Sequence, residues 1–469
     1  MTEREATGSL ESDTIAAIST SMGEAGIGLV RMSGREAFSI AERVFQPVSH
    51  KGYRSSMNRK LRYGWIIKDG KPVDEVLVSF MQGPHTYTAE DVVEINAHGG
   101  SVSVRRILSL LLEQGCRLAE AGEFTRRAFL NGRMDLSQAE AVLDVIHAKT
   151  LKAHEQAIDQ LAGGLSEEMG QLKEDCLKLL SRVEYSINFM EDAQEELPLD
   201  PLVEGGNKLI DKIKVLLATA ENGRLVREGI RTVIVGRPNA GKSSLLNALL
   251  RENRAIVTDI PGTTRDSIEE SMSLEGVQLR LIDTAGIRKT DDPVESIGVE
   301  RSLQLMNEAD LVLCVIDGST PLEAEDFALL EEASRVRTLL LLNKEDLTPD
   351  PSVREWLSQR GPEDPPLLSI SAKEESGLDR LQEAILSLFF REDLRGDDRA
   401  RVTNLRQQQL LKDALASLTE AMNNLERGFS LDAIEVDLRN AYGKLAEITG
   451  DRIQEDVLNK IFKDFCVGK

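Results

Sequence analysis

The sequence has few cysteines, few aromatic residues and no excess of positive charge. Its four cysteines, Cys116, Cys176, Cys314 and Cys466, lie far apart and form no C-x-x-C pair, so neither a zinc site nor a disulfide scaffold is indicated. Aromatic residues make up 4% of the chain and are not interleaved with basic residues, which argues against base stacking. The net charge of −22 disfavours nucleic-acid binding except through a local basic patch or a partner protein.

Long apolar runs are also missing. The longest, such as residues 311–316, have the length of a β-strand and not that of a membrane-spanning helix. The N-terminus is polar and acidic and does not resemble a signal peptide. We therefore expect a cytoplasmic protein that does not enter a membrane. The 469 residues allow about three domains at roughly 150 residues each.

The most informative segment that is present is a phosphate-binding loop from Gly236 to Ser243, between an apolar strand and a helical pattern. Gly236 and Gly241 let backbone N–H groups curl around a phosphate. Lys242 supplies positive charge to the outer phosphates, and Ser243 supplies a hydroxyl for Mg²⁺. The segment predicts nucleotide binding.

Further motifs follow in the order expected of a nucleotide switch protein. Thr264 offers a hydroxyl to Mg²⁺ and to the γ-phosphate, and Asp283 ends an apolar strand where it can hold the water shell of the metal. Gly286 leaves room for a backbone N–H near the γ-phosphate. The predicted GTP-binding residues are Asn239, Ala240, Gly241, Lys242, Ser243, Ser244, Thr258, Thr263, Thr264, Asp283, Gly286, Asn343, Lys344, Asp346, Ser371, Ala372 and Lys373.

The choice of base is predicted by Asp346, which follows the apolar strand at 338–342. Its carboxylate can accept hydrogen bonds from the ring N–H and exocyclic amine of guanine. Adenine presents an acceptor there and would leave the charge without a partner. The sequence therefore predicts a GTPase and not an ATPase.

One position departs from the pattern of many switch GTPases. Ile287 follows Gly286 where a water-positioning glutamine is common, and isoleucine cannot hydrogen-bond a water. Two residues are candidates for the missing functions. Asn239 is either a ligand of a monovalent cation beside the phosphates or a turn residue, and Glu295 either orients the water or is a surface carboxylate.

The chain is organised as an α/β segment, a helical segment, the GTPase and a second helical segment. Strands are predicted at 15–18, 27–32, 75–80 and 92–96 and a helix at 102–114. One apolar stripe is predicted through Ile158, Leu161, Leu165, Leu172, Cys176, Leu179 and Val183, and another after residue 391 through Leu411, Leu415, Leu418, Met422 and Leu425.

These two stripes need a partner surface, and the nearest is each other, so we expect the GTPase to be inserted into one helical domain. Two independent bundles are the alternative. The expected domains are an α/β domain at 1–132, helical parts at 133–226 and 393–469, and a Ras-like GTPase at 227–392.

At these residues the chain resembles the tRNA-modification GTPases of the MnmE (TrmE) family over essentially its whole length. The motifs that carry the resemblance are the phosphate loop, residues 259–266, Asp283 to Gly286 with Glu295, residues 90–100, Gly122-Glu123-Phe124-Thr125 and the terminal Cys466-Val467-Gly468-Lys469. The resemblance implies an N-terminal α/β domain that binds folate and dimerises, and a helical domain interrupted by the GTPase.

The resemblance also implies site roles. K⁺ would be bound by Asn239, Thr258, Ile260 and Thr263, Mg²⁺ by Ser243 and Thr264, and Glu295 would orient the hydrolytic water. Folate would contact Arg31, Glu94, Arg133 and Lys469. Cys466 is a second candidate catalytic residue, and the sequence leaves open whether it is chemical or merely buried.

The implied activity is K⁺-stimulated GTP hydrolysis coupled to the first step of modifying the wobble uridine of tRNA. With an FAD- and NADH-dependent partner (MnmG), in a heterotetramer or larger complex, a family member installs an aminomethyl or carboxymethylaminomethyl group at the 5-carbon. Methylenetetrahydrofolate would give the one-carbon unit, with 5-formyltetrahydrofolate as an analogue. Whether glycine or ammonium gives the nitrogen, and which tRNAs are used, stays open.

Two other functions compete with this one. A ribosome-assembly GTPase would share the phosphate loop, but the segment after residue 391 contains no G-x-x-G loop of the KH type. A folate-dependent aminomethyltransferase acting on a small substrate would have no need of the embedded GTPase.

Overall fold

A computed structural model describes residues 13–48, 58–189, 200–252, 269–283, 304–390 and 402–469. The chain divides into two compact units, one formed by the residues up to 143 together with 445–469, and the other by residues 144–444. Within the described residues, no helix combines the length and the apolar character needed to span a bilayer.

The first unit is built on a seven-stranded sheet with strand order β3-β4-β5-β6-β2-β1-β7. All neighbouring strands are antiparallel except β1 and β7. The strands are β1 (Ile15–Ile18), β2 (Gly28–Ser33), β3 (Phe45–Pro47), β4 (Leu61–Lys68), β5 (Lys71–Met81), β6 (Val92–Ala97) and β7 (Arg117–Leu118). The helices of the N-terminal region are α1 (Ala37–Val44), α2 (Ser101–Glu113), α3 (Glu123–Leu130) and α4 (Leu136–His147).

One face of this sheet is buried against α1 and α2, because alternate strand residues are apolar. Val78, Phe80 and Ile95 contribute from the strands, and Ile40 and Ile107 from the helices. The four predicted strands and the predicted helix are present within one to four residues of their expected ends. Strands β3, β4 and β7 and helices α1 and α3 were not predicted from the sequence.

Strand β4 has a glycine, Gly64, at its centre, which is uncommon inside a strand because glycine has no side chain to pack. Here it is required by a close approach of two backbones. A Cβ atom at Gly64 would lie 2.4 Å from the carbonyl oxygen of Gln46 on the neighbouring strand.

The second unit contains a helical part and the GTPase sheet. Its helices include α5 (Leu151–Leu161), α6 (Gly164–Phe189) and α7 (Asp200–Glu228), and, after the GTPase, the helix Leu405–Glu426 and most of Leu431–Thr449. Helix α7 packs directly against Leu405–Glu426, and Gly206 makes room there, since a Cβ would lie 2.0 Å from the sulfur of Met422. The prediction that the helical segments on the two sides of the GTPase pack together is confirmed.

The predicted apolar stripe before the GTPase is wrong at its first residue. Ile158 is 42% exposed, because α5 ends at Leu161 and the chain turns at Gly163, which has a φ of 104°. Helix α6 restarts the pattern in a new phase, and Leu165, Leu172 and Cys176 are buried.

The GTPase sheet has six strands in the order β13-β12-β11-β8-β10-β9. All its pairings are parallel except that of β9 with β10. The strands are β8 (Ile230–Val235), β9 (Glu269–Leu274), β10 (Val277–Asp283), β11 (Leu311–Asp317), β12 (Thr338–Asn343) and β13 (Leu367–Ser369). Helices α8 (Lys242–Glu252), α9 (Ala324–Ala333), α10 (Pro351–Ser358) and α11 (Leu378–Phe389) flank it. Nucleotides bind at the carboxyl ends of such strands, where the predicted motifs lie.

Candidate functional site

The phosphate loop connects β8 to α8 and begins at Gly236. No other residue fits there, since a Cβ would lie 2.3 Å from the carbonyl oxygen of Val315. The ammonium of Lys242 donates to the carbonyls of Gly236 and Arg237, at 2.8 Å each. The loop therefore curls around its own lysine, in the arrangement that places a positive charge beside bound phosphates.

Asn343 at the end of β12 joins the phosphate loop to the loop after β13. Its side-chain amide donates to the carbonyl of Ala240 at 2.8 Å, and its side-chain oxygen accepts from the N–H of Ala372 at 3.0 Å. The residue is 3% exposed. A Cβ at Gly241 would lie 2.1 Å from the same amide, so the approach of the two loops depends on that glycine.

Asp346 is exposed and oriented by Ser371, whose hydroxyl donates to its carboxylate at 2.6 Å. This hydrogen bond lowers the pKa of Asp346 below its ordinary value, so the acceptor needed for guanine is ionised at neutral pH. Lys373 is close to fully exposed beside it. The structure thus brings Asp346, Ser371 and Ala372 together as predicted.

Lys344 forms a contact that the sequence analysis missed. Its ammonium lies 2.5 Å from the carboxylate of Asp317 at the end of β11. Burial acts to raise the pKa of Asp317, but hydrogen bonds from Lys344 and Ser319 outweigh it and hold the pKa below its usual range. The sequence signal that could have revealed this contact is an aspartate at the end of the strand next to β12.

Arg237 gives the phosphate loop a second support that was not predicted. Its guanidinium lies 2.7 Å from Glu323 and 3.2 Å from Asp326. Both carboxylates lie at the N-terminus of α9, where they also form a capping box. The loop is therefore braced from the side of α9 as well as from Asn343.

The remaining predicted residues of the GTPase divide into three groups. Asn239 on the loop and Ser243 and Ser244 in the first turn of α8 are exposed, and Asn239 has a left-handed backbone with a φ of 66°, which asparagine tolerates. Asp283 ends β10, but only its backbone is described. Outside the described residues lie Thr258, Ile260, Thr263, Thr264, Gly286 and Glu295.

A second cluster lies on the first unit, on the sheet face opposite α1 and α2. Arg31 on β2 and Glu94 on β6 are paired in register, with a guanidinium nitrogen 2.8 Å from the carboxylate. The third nitrogen of Arg31, Nη1, is buried and has no hydrogen-bond partner among the described residues. A buried donor without a partner is costly and marks a place for an acceptor.

Tyr87 brings Arg133 to the same place. The guanidinium carbons of Arg31 and Arg133 lie 5.4 and 4.7 Å from the centre of its ring, and Phe124 lies on another side of Arg31 at 5.7 Å. The structure therefore assembles three of the four predicted folate residues around an aromatic ring that the sequence analysis did not select.

The C-terminal tail, which carries the fourth, is fixed beside β1. Val467 bridges to Ala121, and the hydroxyl of Ser19 donates to the carbonyl of Gly468 at 3.0 Å. Gly468 has a φ of 98°, and a Cβ there would lie 2.4 Å from the carbonyl oxygen of Ile18. Lys469 is half-buried. Since β1 pairs with β2 through Ala17 and Arg31, the tail lies one strand away from the arginine.

Cys466 is exposed, so the possibility that it is merely buried is wrong. The other cysteines are buried, and burial raises the pKa of the Cys116, Cys176 and Cys314 thiols to about 12. A thiol with such a pKa is inert at neutral pH. Of the four, Cys466 is the one that remains available for chemistry.

Asn343→Asp should weaken GTP binding by at least about tenfold, because a buried carboxylate would face the carbonyl of Ala240 in place of a donor. Asn247→Asp, the same change at an exposed position of α8, is the control and should bind GTP as the unmodified protein does. Titration with a fluorescent GTP analogue measures both. Equal affinity of the two variants would mean that Asn343 does not hold the phosphate loop in place.

Comparison with known proteins agrees with this arrangement. Residues 14–133 match the family model described as the GTP-binding protein TrmE N-terminus, and residues 136–466 match the MnmE helical domain. The tRNA modification GTPase MnmE of Alkaliphilus metalliredigens is 49% identical over 97% of this chain and 99% of its own length. The protein of the same name from Finegoldia magna is 49% identical over 97% of this chain and 100% of its own.

Among solved structures, an Era variant from Aquifex aeolicus bound to GDP and AlF₄⁻ is 26% identical over 40% of this chain and 66% of its own, with a TM-score of 0.28. A likeness this partial supports no conclusion about the chain. The two family models and the full-length relatives do, and they agree with a phosphate loop, a guanine motif and an N-terminal cluster in one chain. The chain belongs to the MnmE family of tRNA modification GTPases.

Proposed function

We propose that this GTPase carries out the first step of 5-aminomethyl or carboxymethylaminomethyl modification at the wobble uridine of tRNA. The observation that carries the proposal is the coexistence of a guanine-nucleotide site with a separate cluster fitted to an anionic ligand. The first contains Asn343 and Asp346, and the second contains Arg31 and its unpartnered Nη1. A ribosome-assembly GTPase would have no evident use for the second site.

In the proposed GTPase cycle, Lys242 and the loop amides bind the phosphates, and Ser243 and Thr264 bind Mg²⁺, which neutralises phosphate charge. K⁺ would be held by Asn239, Thr258, Ile260 and Thr263. Asn239 fits this role because it is exposed on the phosphate loop and carries a side-chain carbonyl oxygen that can coordinate a cation. Glu295 would orient the attacking water, which Ile287 cannot do.

The N-terminal cluster fits a tetrahydrofolate. Folate carries carboxylates and a pteridine with hydrogen-bonding edges, and Arg31 Nη1 offers a buried donor to such a group. Arg133 adds positive charge, Glu94 holds Arg31 in place, and Lys469 at the fixed tail adds a further cation. Methylenetetrahydrofolate would supply the one-carbon unit there, with exposed Cys466 nearby in sequence as a candidate catalytic thiol.

We propose that the chain forms a homodimer through the face of the N-terminal sheet that lies opposite α1 and α2. Leu61, Tyr63, Trp65 and Leu77 share this face and are 63, 50, 38 and 42% exposed. An apolar patch of this kind on a soluble domain marks an interaction surface. Through the pairing of β4 with β5 and of β5 with β6, the patch extends to Glu94. A second copy bound to the patch would therefore border the folate cluster.

The partners of the reaction would be an FAD-dependent protein of the MnmG type and tRNA, in a heterotetramer or larger assembly in the cytoplasm. A net charge of −22 repels a polyanion over most of the surface. The positive charge that tRNA requires would therefore be supplied largely by the partner protein.

The modification itself is tested by nucleoside mass spectrometry of tRNA from a strain that lacks the protein. We expect the 5-substituted wobble uridines to disappear and to return when the gene is restored. Unchanged wobble uridines would contradict the proposed function and would favour a role in ribosome assembly.

Asp346→Asn should weaken GTP binding by about tenfold or more, because the charged acceptor for the guanine N–H groups is lost. The same variant should gain affinity for XTP, because an amide can donate to the extra carbonyl of xanthine that a carboxylate repels. Parallel titrations with GTP, XTP and ATP measure the change. A native protein that binds ATP as tightly as GTP would contradict the assignment of Asp346.

Gly468→Ala should weaken binding of 5-formyltetrahydrofolate by about tenfold, since the new Cβ displaces the tail that carries Lys469. Gly115→Ala is a matched control, because Gly115 has a similar φ of 109° but nothing within 4 Å of an added Cβ. Isothermal titration measures both variants, and both should retain GTP hydrolysis. Unchanged folate affinity in Gly468→Ala would refute a folate role for the tail.

A further inference from the structure

Tyr87 lies in a loop that is fixed on both sides of the residue. The hydroxyl of Thr86 donates to the carbonyl of Glu90 at 2.6 Å, and the side-chain amide of Asn131 donates to the carbonyl of Thr88 at 2.7 Å. The hydroxyl of Thr88, which is fully buried, lies 2.6 Å from that of Ser33. The backbone at Tyr87 therefore has little freedom to move.

The ring of Tyr87 is fixed as well. Its hydroxyl lies 2.9 Å from the hydroxyl of Thr125 on α3. Its ring packs against the small apolar cluster that includes Ile15, Ala17 and Phe124. A ring held at both its edge and its face presents a defined surface to the groups around it.

Two guanidinium groups are attracted to this one ring. Like charges repel, so they would separate unless something holds them, and the electron-rich ring face does so for Arg31 and Arg133. Among the described residues, Glu94 is the single carboxylate within ion-pair distance of Arg31, and Arg133 has no carboxylate at that distance. Arg133 is exposed. The cluster thus holds an excess of positive charge on a rigid support.

We infer that Tyr87 is a positioning residue that holds Arg31 and Arg133 as a pair for the carboxylates of the bound folate. This assignment rests on the proposed folate role of the cluster. It adds Tyr87 to the residues of the cluster and names the carboxylates as the part of folate that the two arginines bind. Guanidinium groups match carboxylates through parallel N–H donors. Arg31 has Nη1 left to donate, since Glu94 accepts from its Nε and Nη2.

The test compares Tyr87→Phe, which keeps the ring, with Tyr87→Leu, which removes it. Isothermal titration with 5-formyltetrahydrofolate should show about tenfold weaker binding for Tyr87→Leu and less than about threefold for Tyr87→Phe. A 5-formyltetrahydropterin without the benzoylglutamate group should bind both variants as it binds the native protein. GTP hydrolysis should be unchanged in both variants, and the unchanged binding of the pterin shows that the N-terminal unit is folded.

A double-mutant cycle separates positioning from a general loss of packing. Because Tyr87 acts through both arginines, Tyr87→Leu should weaken folate binding less in the Arg133→Leu background than in the native protein, and the loss that remains there is the part that acts through Arg31. Additive losses would overturn the inference, as would equal weakening in Tyr87→Phe and Tyr87→Leu or folate binding by Tyr87→Leu at native affinity. In each of these cases the proposed folate role still stands if the native protein binds folate. A native protein that binds no folate would overturn both this inference and the proposed folate role.

Discussion

Helix α7 is the element on which the arrangement of the second unit depends, because it supplies apolar residues to two cores. Near its start, Gly206 lets it pack closely on the helix Leu405–Glu426. Near its end, Leu225 is buried in the core of the GTPase sheet, and Arg224 binds Asp310 at 2.8 Å. Asp310 also accepts from the N–H of Arg231. The first strand of the GTPase is therefore fixed to the helical part on one side of the insertion.

In the guanine-nucleotide site, too, one element holds two parts of the structure together. The loops predicted to contact the phosphates and the base lie more than a hundred residues apart in sequence. Each loop by itself would be free to change its conformation. Asn343 joins them through two hydrogen bonds in a buried place, where such bonds are costly to leave unmade. A nucleotide thus meets a site whose two halves are already positioned, and this reduces the ordering cost of binding.

A feature can be predicted from the sequence when the residues that it requires lie close together along the chain. The phosphate loop needs glycines and a lysine at fixed spacing, so Gly236 and Lys242 identify it without a structure. Tyr87 and Asp317 were missed because their partners are distant in sequence, and neither residue type is diagnostic alone. The close backbone approach that requires Gly64 was not predictable, because its partner Gln46 lies on another strand. The break after α5 was missed because a helical period does not reveal a change of axis.

Charge balance distinguishes two clusters in the N-terminal unit. In the first, Arg117 and Arg127 meet the carboxylates of Asp13, Glu90 and Glu123. Burial acts to raise the pKa of Glu123, but hydrogen bonds, first that from Arg117, hold it below its ordinary value. Such a group stabilises the fold above the pKa it has when unfolded, and this stability is lost as the pH falls through its lower folded value.

The second cluster is organised differently. Arg31 and Arg133 share an aromatic ring, Arg31 alone is paired with a carboxylate, and the Nη1 donor of Arg31 has no acceptor among the described residues. A buried donor without an acceptor is costly, and the Nη1 atom of Arg31 is such a donor among the described residues. An acceptor on a bound ligand would offset this cost. The imbalance of charge, more than the identity of any one residue, makes this face of the sheet a candidate binding site.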